Sequence, residues 1–320
     1  MRQGWLQITA LVVGSIAMSA CGGVGSTPSS TATSAITVTD DRGVSVSLEH
    51  AATRVVATGS FPLDALAALG VRPVGMLSDL MQPASTHEFY GPDAKKIALI
   101  SGAGASINLE QVAAVQPDLI LSNTDVAAAL GSALKAIAPL VALDPGTGGY
   151  QGALHALQVT GALTGTTALA NRKAAEFTSL IDSYRAKAPR DKKPVLVMFS
   201  AIPNFRIATS TSGTCAVLDL TASCPWVVTP PHDYAAYAID KISSVDPAVI
   251  FVRSTGSSVS VDPQLAADPF WQRMTAVKEG HLYPLANSLA AAGGTISLTY
   301  ILEYCAHVMY PSIYPKSEVG

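Results

Sequence analysis

Two stretches of the chain carry nearly the same pattern, INLEQVAAVQPDLILS at residues 107–122 and YAIDKISSVDPAVIFV at residues 237–252. A shift of 130 positions aligns Leu109 with Ile239, Glu110 with Asp240, Val112 with Ile242 and Val115 with Val245. It also aligns Pro117 with Pro247, Leu119 with Val249 and Ile120 with Ile250. In each copy a helix starts near the acid, stops before the proline and feeds a buried strand. Helix, proline and apolar strand recur by convergence in α/β proteins, and acids are favoured in a first helical turn by the helix dipole. Matching acid, proline and strand at one spacing in both halves points instead to two similar lobes.

The rest of the chain fits that reading. At 320 residues it is long enough for two lobes of about 130 residues each. Half of it is hydrophobic (49%) and only 13% is charged, which excludes wholesale disorder. A net charge of −3 gives no basic excess for nucleic acid to meet. ITVTDDRGVSVSL alternates around Asp41-Arg42-Gly43 and predicts a hairpin. TRVVATGS, FPLDALAALG and VRPVGML then read strand, helix, strand, the rhythm of a parallel sheet with helices outside. Ser78 to Ser106, with Pro83, Pro92 and several glycines, reads as a long surface loop. Asn108 is placed to cap the first repeat's helix, and LVALD completes one lobe near Asp144.

ALHALQVTGALTG and ALANRKAAEFTSLIDSYRAKAPR are the longest helical patterns. About 20 residues of the second would cover about 30 Å, enough to join the lobes or to serve as an ordinary packing helix. After residue 193 the rhythm restarts with PVLVMFS as a strand, FRIATS as an apolar segment and CAVLDLT as a helix. HLYPLA then gives a strand and TISLTYILEYCAHVMY a closing helix.

The first twenty-one residues hold Arg2, an apolar run from Leu6 to Met18, then Ser19-Ala20-Cys21. The run is shorter than the roughly 20 apolar residues of a transmembrane helix. Its small-small-Cys ending resembles a bacterial lipobox, with Met18 where leucine is usual, which implies lipidation at Cys21. Plain secretion is the alternative. Gly22 to Ala35, rich in Gly, Ser, Thr and Pro, reads as a flexible tether. Cys215, Cys224 and Cys305 remain, and in an exported protein two of them can pair. A helix spanning all nine steps of CAVLDLTASC would part its cysteines by about 13 Å, beyond disulfide reach. Cys305 is then the better partner for one of them, and three small buried thiols are the other reading.

Taken in order, TRVVATGS…ALAALGVRPVGM, INLEQVAAVQPDLILS, ALKAIAPLVAL, VDPAVIFV and DPFWQRMTAVKEGHLYPLA resemble the solute-binding lipoproteins of the iron-siderophore and vitamin B12 class, partners of ABC importers. The likeness runs from Cys21 onward. It implies an α/β fold of two Rossmann-like lobes joined by one long backbone helix, with the ligand in the cleft between them. It implies residues 1–20 as a lipoprotein signal, 21–36 as lipidated cysteine and tether, 37–165 as one lobe, 166–190 as the joining helix and 191–320 as the other lobe. One carboxylate on each lobe would engage the permease, and those positions fall on Glu110 and Asp240. The aspartate is one methylene shorter than the glutamate usual there. The expected protein is a monomer on the extracytoplasmic face of the cell membrane, without a cofactor, carrying a ferric siderophore. Haem, cobalamin or a bare transition metal are alternative cargoes, and surface sensing or adhesion is an alternative role.

In open α/β sheets ligands collect at the carboxyl ends of the strands. That rule selects Ser60 and Phe61, Asn123 and Thr124, Phe205 and Arg206, Arg253, and Asn287 as candidates. Arg206 and Arg253 suit an anionic ligand, or are solvated surface arginines. Tyr237, with Tyr234, lines the cleft or packs between helices, with packing the favoured reading. Trp226 and Trp271 read as structural. His50, His87, His155, His232, His281 and His307 are scattered, with no pair at metal-ligand spacing on one element. None of the common motifs for an activated serine, a zinc protease or a phosphate loop appears.

Overall fold

Each helix–proline–strand repeat feeds the strand beside the first strand of its own five-stranded sheet. The structure, a computed structural model, describes residues 35–316 except 105, 147, 200–205, 231, 256–257 and 291. The expected signal segment, Cys21, most of the tether and Phe205 lie outside the described residues.

The first sheet runs in the order Ala98–Ile100, Gly75–Leu77, Val55–Ala57, Leu119–Asn123, Leu140–Leu143, and every pair is parallel. Counted along the chain this is 3-2-1-4-5, a doubly wound sheet whose order reverses between its first and fourth strands. The second sheet runs Tyr234–Ala236, Arg206–Ala208, Val195–Phe199, Val249–Ser254, Leu282–Ala286, again 3-2-1-4-5. Here only the second strand is reversed, antiparallel to both neighbours. The central strands are apolar and buried over most of their length, as strands covered on both faces must be.

The repeats match down to the backbone. The helices Leu109–Ala114 and Ile239–Val245 are each followed by a left-handed residue directly before proline, Gln116 at φ 46° and Asp246 at φ 53°. A residue preceding proline is pushed out of the right-handed helical region, so the chain turns there instead of continuing the helix. Asn108 caps its helix as expected, accepting the N–H of Gln111 at 3.0 Å, whereas Ala238 at the equivalent position has no side chain to do so.

Between the sheets lies a helical layer. Thr167–Ala186 buries Ala170, Ala174, Phe177 and Ile181 along one stripe and leaves its charges outside. It packs closely on Gly149–Leu163, where a Cβ on Gly161 would lie 2.5 Å from that of Ala170. The closing helix Thr295–Met309 packs on Ser60–Ala68 of the first lobe and on Gly213–Leu218 of the second. The fully buried Asp64 links the first pair, accepting the N–H groups of Ile296 and Ser297 at 3.0 Å each. Burial raises its carboxyl to about 6, against the pull of those N–H groups.

Three expectations change. The segment from Ser78 to Ser106 is not one long loop. It holds short helical turns, the edge strand Ala98–Ile100 and a small hairpin of Gly102–Ala103 with Ser106–Ile107. The edge strand sits in a short apolar run, Ile97 to Ile100, but only four residues long and set among prolines and glycines it reads as part of a loop, and two of the strand's three residues are exposed. Next, the disulfide joins Cys215 to Cys224, and Cys305 is a buried free thiol. The helix ends at Leu218, and Asp219 then accepts the N–H of Cys224 at 2.8 Å, folding the chain back so that the two Cα atoms lie 5.6 Å apart. Finally, Tyr234 lies on a strand and not between helices.

Candidate functional site

Both sheets reverse order between strands one and four, and in both the repeat supplies strand four. Adding 130 to Asn123, the last residue of strand four in the first lobe, gives Arg253 in the second. These two side chains line one cavity of about 260 Å³ between the lobes, with Ser60, Phe199, Asp233 and Tyr234. Thr214, Pro145 and Gly293 complete much of its wall. The repeat therefore brings its two equivalent strand ends to the same space.

Arg253 is the most constrained group there. Its guanidinium carbon lies 4.2 Å from the Phe199 ring centre and 5.3 Å from that of Tyr234. Those rings meet edge to face at 5.1 Å. The Arg253 Nε donates to Asn287 Oδ1 at 3.1 Å. Rings on the flanks and an amide behind hold the cation in one orientation, with attraction of order 1 kcal/mol per ring. The Tyr234 hydroxyl is 3.2 Å from Thr214 Oγ1, and burial raises its ionisation above the ordinary tyrosine range.

Opposite in charge is Asp233. Burial lifts its carboxyl to about 7; Arg253 opposes the rise, Asp144 adds to it and Arg206 opposes it. Its backbone carbonyl accepts the N–H of Thr209 at 3.0 Å, and a Cβ on Gly146 would lie 3.6 Å from its own Cβ. From the first lobe, Asn123 presents a buried amide oxygen without a hydrogen-bond partner. A Cβ on Gly59 would stand 2.1 Å from that oxygen, so only glycine leaves room for the amide.

The sequence candidates divide accordingly. Ser60, Asn123 and Arg253 line the cavity, and Asn287 braces Arg253. Phe61 is buried beneath the wall, where a Cβ on Gly293 would lie 3.7 Å from its ring. Thr124 opens the helix Thr124–Lys135 and is not part of the wall. Arg206 is exposed and donates to the Tyr234 carbonyl. Tyr237 points elsewhere, edge-on to Trp226 at 5.8 Å. Phe199, Asp233 and Tyr234 complete the site. Phe199 ends its strand, ahead of the Phe205 and Arg206 that strand-end reasoning selected, and Asp233 arrives through a strand pairing that no local pattern displays.

A larger cavity of about 470 Å³ lies between the helices Ser60–Ala68, Thr167–Ala186 and Thr295–Met309. Of its charged residues, Lys173 and Glu176 bond to each other at 2.9 Å and Glu88 is the third, and its lining includes Phe177 and Ile296. The smaller cavity is the candidate site, because it stands at both reversal points and gathers cation, carboxyl, amide and rings. Several histidines are engaged outside it. His155 lies 3.1 Å from Asp41, and the His307 ring is 2.9 Å from the Tyr314 carbonyl.

The family model for periplasmic binding proteins matches residues 55–289, which span both sheets and most of the site. The chain belongs to the periplasmic binding protein family. Among relatives, the Fe(3+)-citrate-binding protein YfmC of Bacillus subtilis is 24% identical over 231 residues, 72% of each chain. A putative ABC transporter substrate-binding lipoprotein of the same organism, YhfQ, is 25% identical over 273 residues, 78% of this chain and 80% of that one. The solved structure of the petrobactin-binding protein YclQ, also from Bacillus subtilis, superposes with a TM-score of 0.70 at 20% identity. That superposition covers 86% of this chain and 99% of that one. For a periplasmic binding protein the cleft between the lobes is where a solute is held, and this cleft offers it one oriented cation. Among the described residues no helix is long and apolar enough to cross a membrane.

Proposed function

We propose that the protein captures a compact, carboxylate-bearing ferric chelate between its lobes and delivers it to an ABC importer. The observation that carries this reading is Arg253, fixed between two rings at the cavity wall, an arrangement suited to carboxylate oxygens. The named ligand of the YfmC relative has that chemistry. A cavity near 260 Å³ stands at the small end of ligand pockets, about 300–1,000 Å³, which favours a compact chelate over a tetrapyrrole. The role is binding and not catalysis, and the chain acts as a monomer.

Lipidation at Cys21 holds the body at the outer face of the cell membrane in the same reading. The division into lobes at 37–165 and 191–320 with a joining helix at 166–190 belongs to it as well. Glu110 and Asp240, both exposed in the first turns of equivalent helices, serve as the two acidic contacts to the permease.

Titration of the mature chain with ferric citrate, ferric hydroxamates and catecholates, haem and cobalamin, followed by tryptophan emission, tests the reading. Saturable quenching by ferric citrate at low concentration is expected. Silence toward every chelate, with tight binding of Zn²⁺ or Mn²⁺ instead, overturns it.

A further inference from the structure

The cleft holds a carboxyl that capture of an anion does not explain. Asp233 shares the cavity wall with Arg253, and an ionised acid there neutralises the cation meant for the ligand. Three charged groups act on it from three elements. Arg253 comes from the fourth strand of its own sheet, Arg206 from the reversed strand, and Asp144 from the segment after Leu140–Leu143 in the other lobe. Tyr234 and His232 are its chain neighbours. Asp144 and Asp233 come from different lobes, and both lie within 4 Å of a Cβ placed on Gly146.

We propose that Asp233 couples capture to proton uptake: as a neutral carboxyl it donates a hydrogen bond to a ligand oxygen beside Arg253, and as a carboxylate it opposes an anionic chelate. This rests on the reading of the cleft as a site for a carboxylate-bearing chelate. The direction follows from electrostatics. Burial among these groups raises Asp233 to about 7. A bound anion adds negative charge beside it and raises it further, so the bound form holds a proton that the empty form loses above that pH. Affinity is then level below about pH 6 and falls above pH 7, by up to about tenfold per unit where one proton is taken up. A cationic or neutral cargo would lack this slope or reverse it.

The test measures ferric citrate affinity of the full mature chain and of Asp233→Asn from pH 5.5 to 8.5. Isothermal titration at pH 7 in two buffers of different ionisation enthalpy counts the protons taken up. Changes in ferric citrate itself are common to both proteins and cancel in the ratio of affinities. Expected are a ratio that shifts toward the asparagine variant as pH rises, and proton uptake confined to the native chain. An Asp144→Asn variant supplies an independent reading. Without that neighbouring negative charge, Asp233 ionises more easily, so the fall in affinity starts at lower pH. A constant ratio, equal proton uptake in both proteins, or an unmoved onset in Asp144→Asn each overturns the proposal and leaves the cleft's function standing. Absence of ferric citrate binding in every protein at every pH overturns the functional reading itself, and the coupling with it.

Discussion

The two lobes share one plan and differ in one strand. Both sheets run 3-2-1-4-5, and both repeats turn through a left-handed residue before proline. In the first lobe helix Ser60–Ala68 carries the chain from strand one to a parallel strand two. In the second lobe only six residues, 200–205, separate Phe199 from Arg206. A parallel crossover needs a dozen or more residues, so strand two must return antiparallel. That reversal pairs Arg206 with Phe199, at the end of strand one that lines the cavity. The first lobe thus lines the cavity with neutral polar groups, Ser60 and Asn123, and acts on it from outside the wall through Asp144, while the second lines it with the cation and, with Asp233, the carboxyl. A common scaffold positions the strand ends. The chemistry is concentrated on the lobe whose sheet departs from the plan.

The largest effect should come from the feature the lobes share. Glu110 and Asp240 occupy the same repeat position, one per lobe, and act as a two-point handle on the permease in the proposed function. Reversing both charges, Glu110→Lys with Asp240→Lys, is expected to abolish uptake by cells while leaving chelate affinity of the purified chain unchanged. Uptake that survives the double reversal would break the symmetry of the handle. Single reversals are expected to be unequal, because the shorter aspartate contributes less reach.

Next in size is the contrast between the equivalent positions 123 and 253. Hydrogen bonds to a charged group are worth about 1.5–3 kcal/mol and neutral ones about 0.5–1.5 kcal/mol. Arg253→Ala is therefore expected to weaken ferric citrate binding on the order of 10–100-fold, and Asn123→Ala by no more than about tenfold. Equal losses, measured by titration under one set of conditions, would mean that the charge is not concentrated on the second lobe.

Much of this architecture was legible in the chain. Proline and acid at matched spacing marked both repeats, Asn108 announced its cap, and strand-end reasoning selected Ser60, Asn123 and Arg253, which line the cavity. What escaped depended on partners distant in sequence. Asp233 and Tyr234 gain their place from the pairing of Tyr234–Ala236 with Arg206–Ala208, which no local periodicity displays. FRIATS was read only as an apolar segment, although the six residues between Phe199 and Arg206, too few for a crossover, carry the signal of a reversed strand. The Cys215–Cys224 bridge was hidden by reading a longer helix than the chain makes, since Asp219 turns the backbone four residues after the first cysteine.

The smallest effect sharpens the comparison at the repeat's own helix starts. Asn108 accepts the N–H of Gln111, while Ala238, in an extended conformation suited to a cap (φ −71°, ψ 131°), leaves its helix without a side-chain acceptor. Replacing a good N-cap residue with alanine costs about 1 kcal/mol. Asn108→Ala is expected to lower unfolding stability by that amount, and Ala238→Asn to raise it by a similar or smaller one, both read from denaturant midpoints at unchanged slope. Both positions stand two residues before the acids proposed to dock, so each change also alters the order of the turn that presents an acid. If Ala238→Asn stabilises the chain and leaves uptake intact, the second helix start tolerates a cap and Asp240 does not depend on a loose first turn. If it stabilises the chain and lowers uptake, the uncapped start is a feature of docking, and the lobes differ there by function and not by drift.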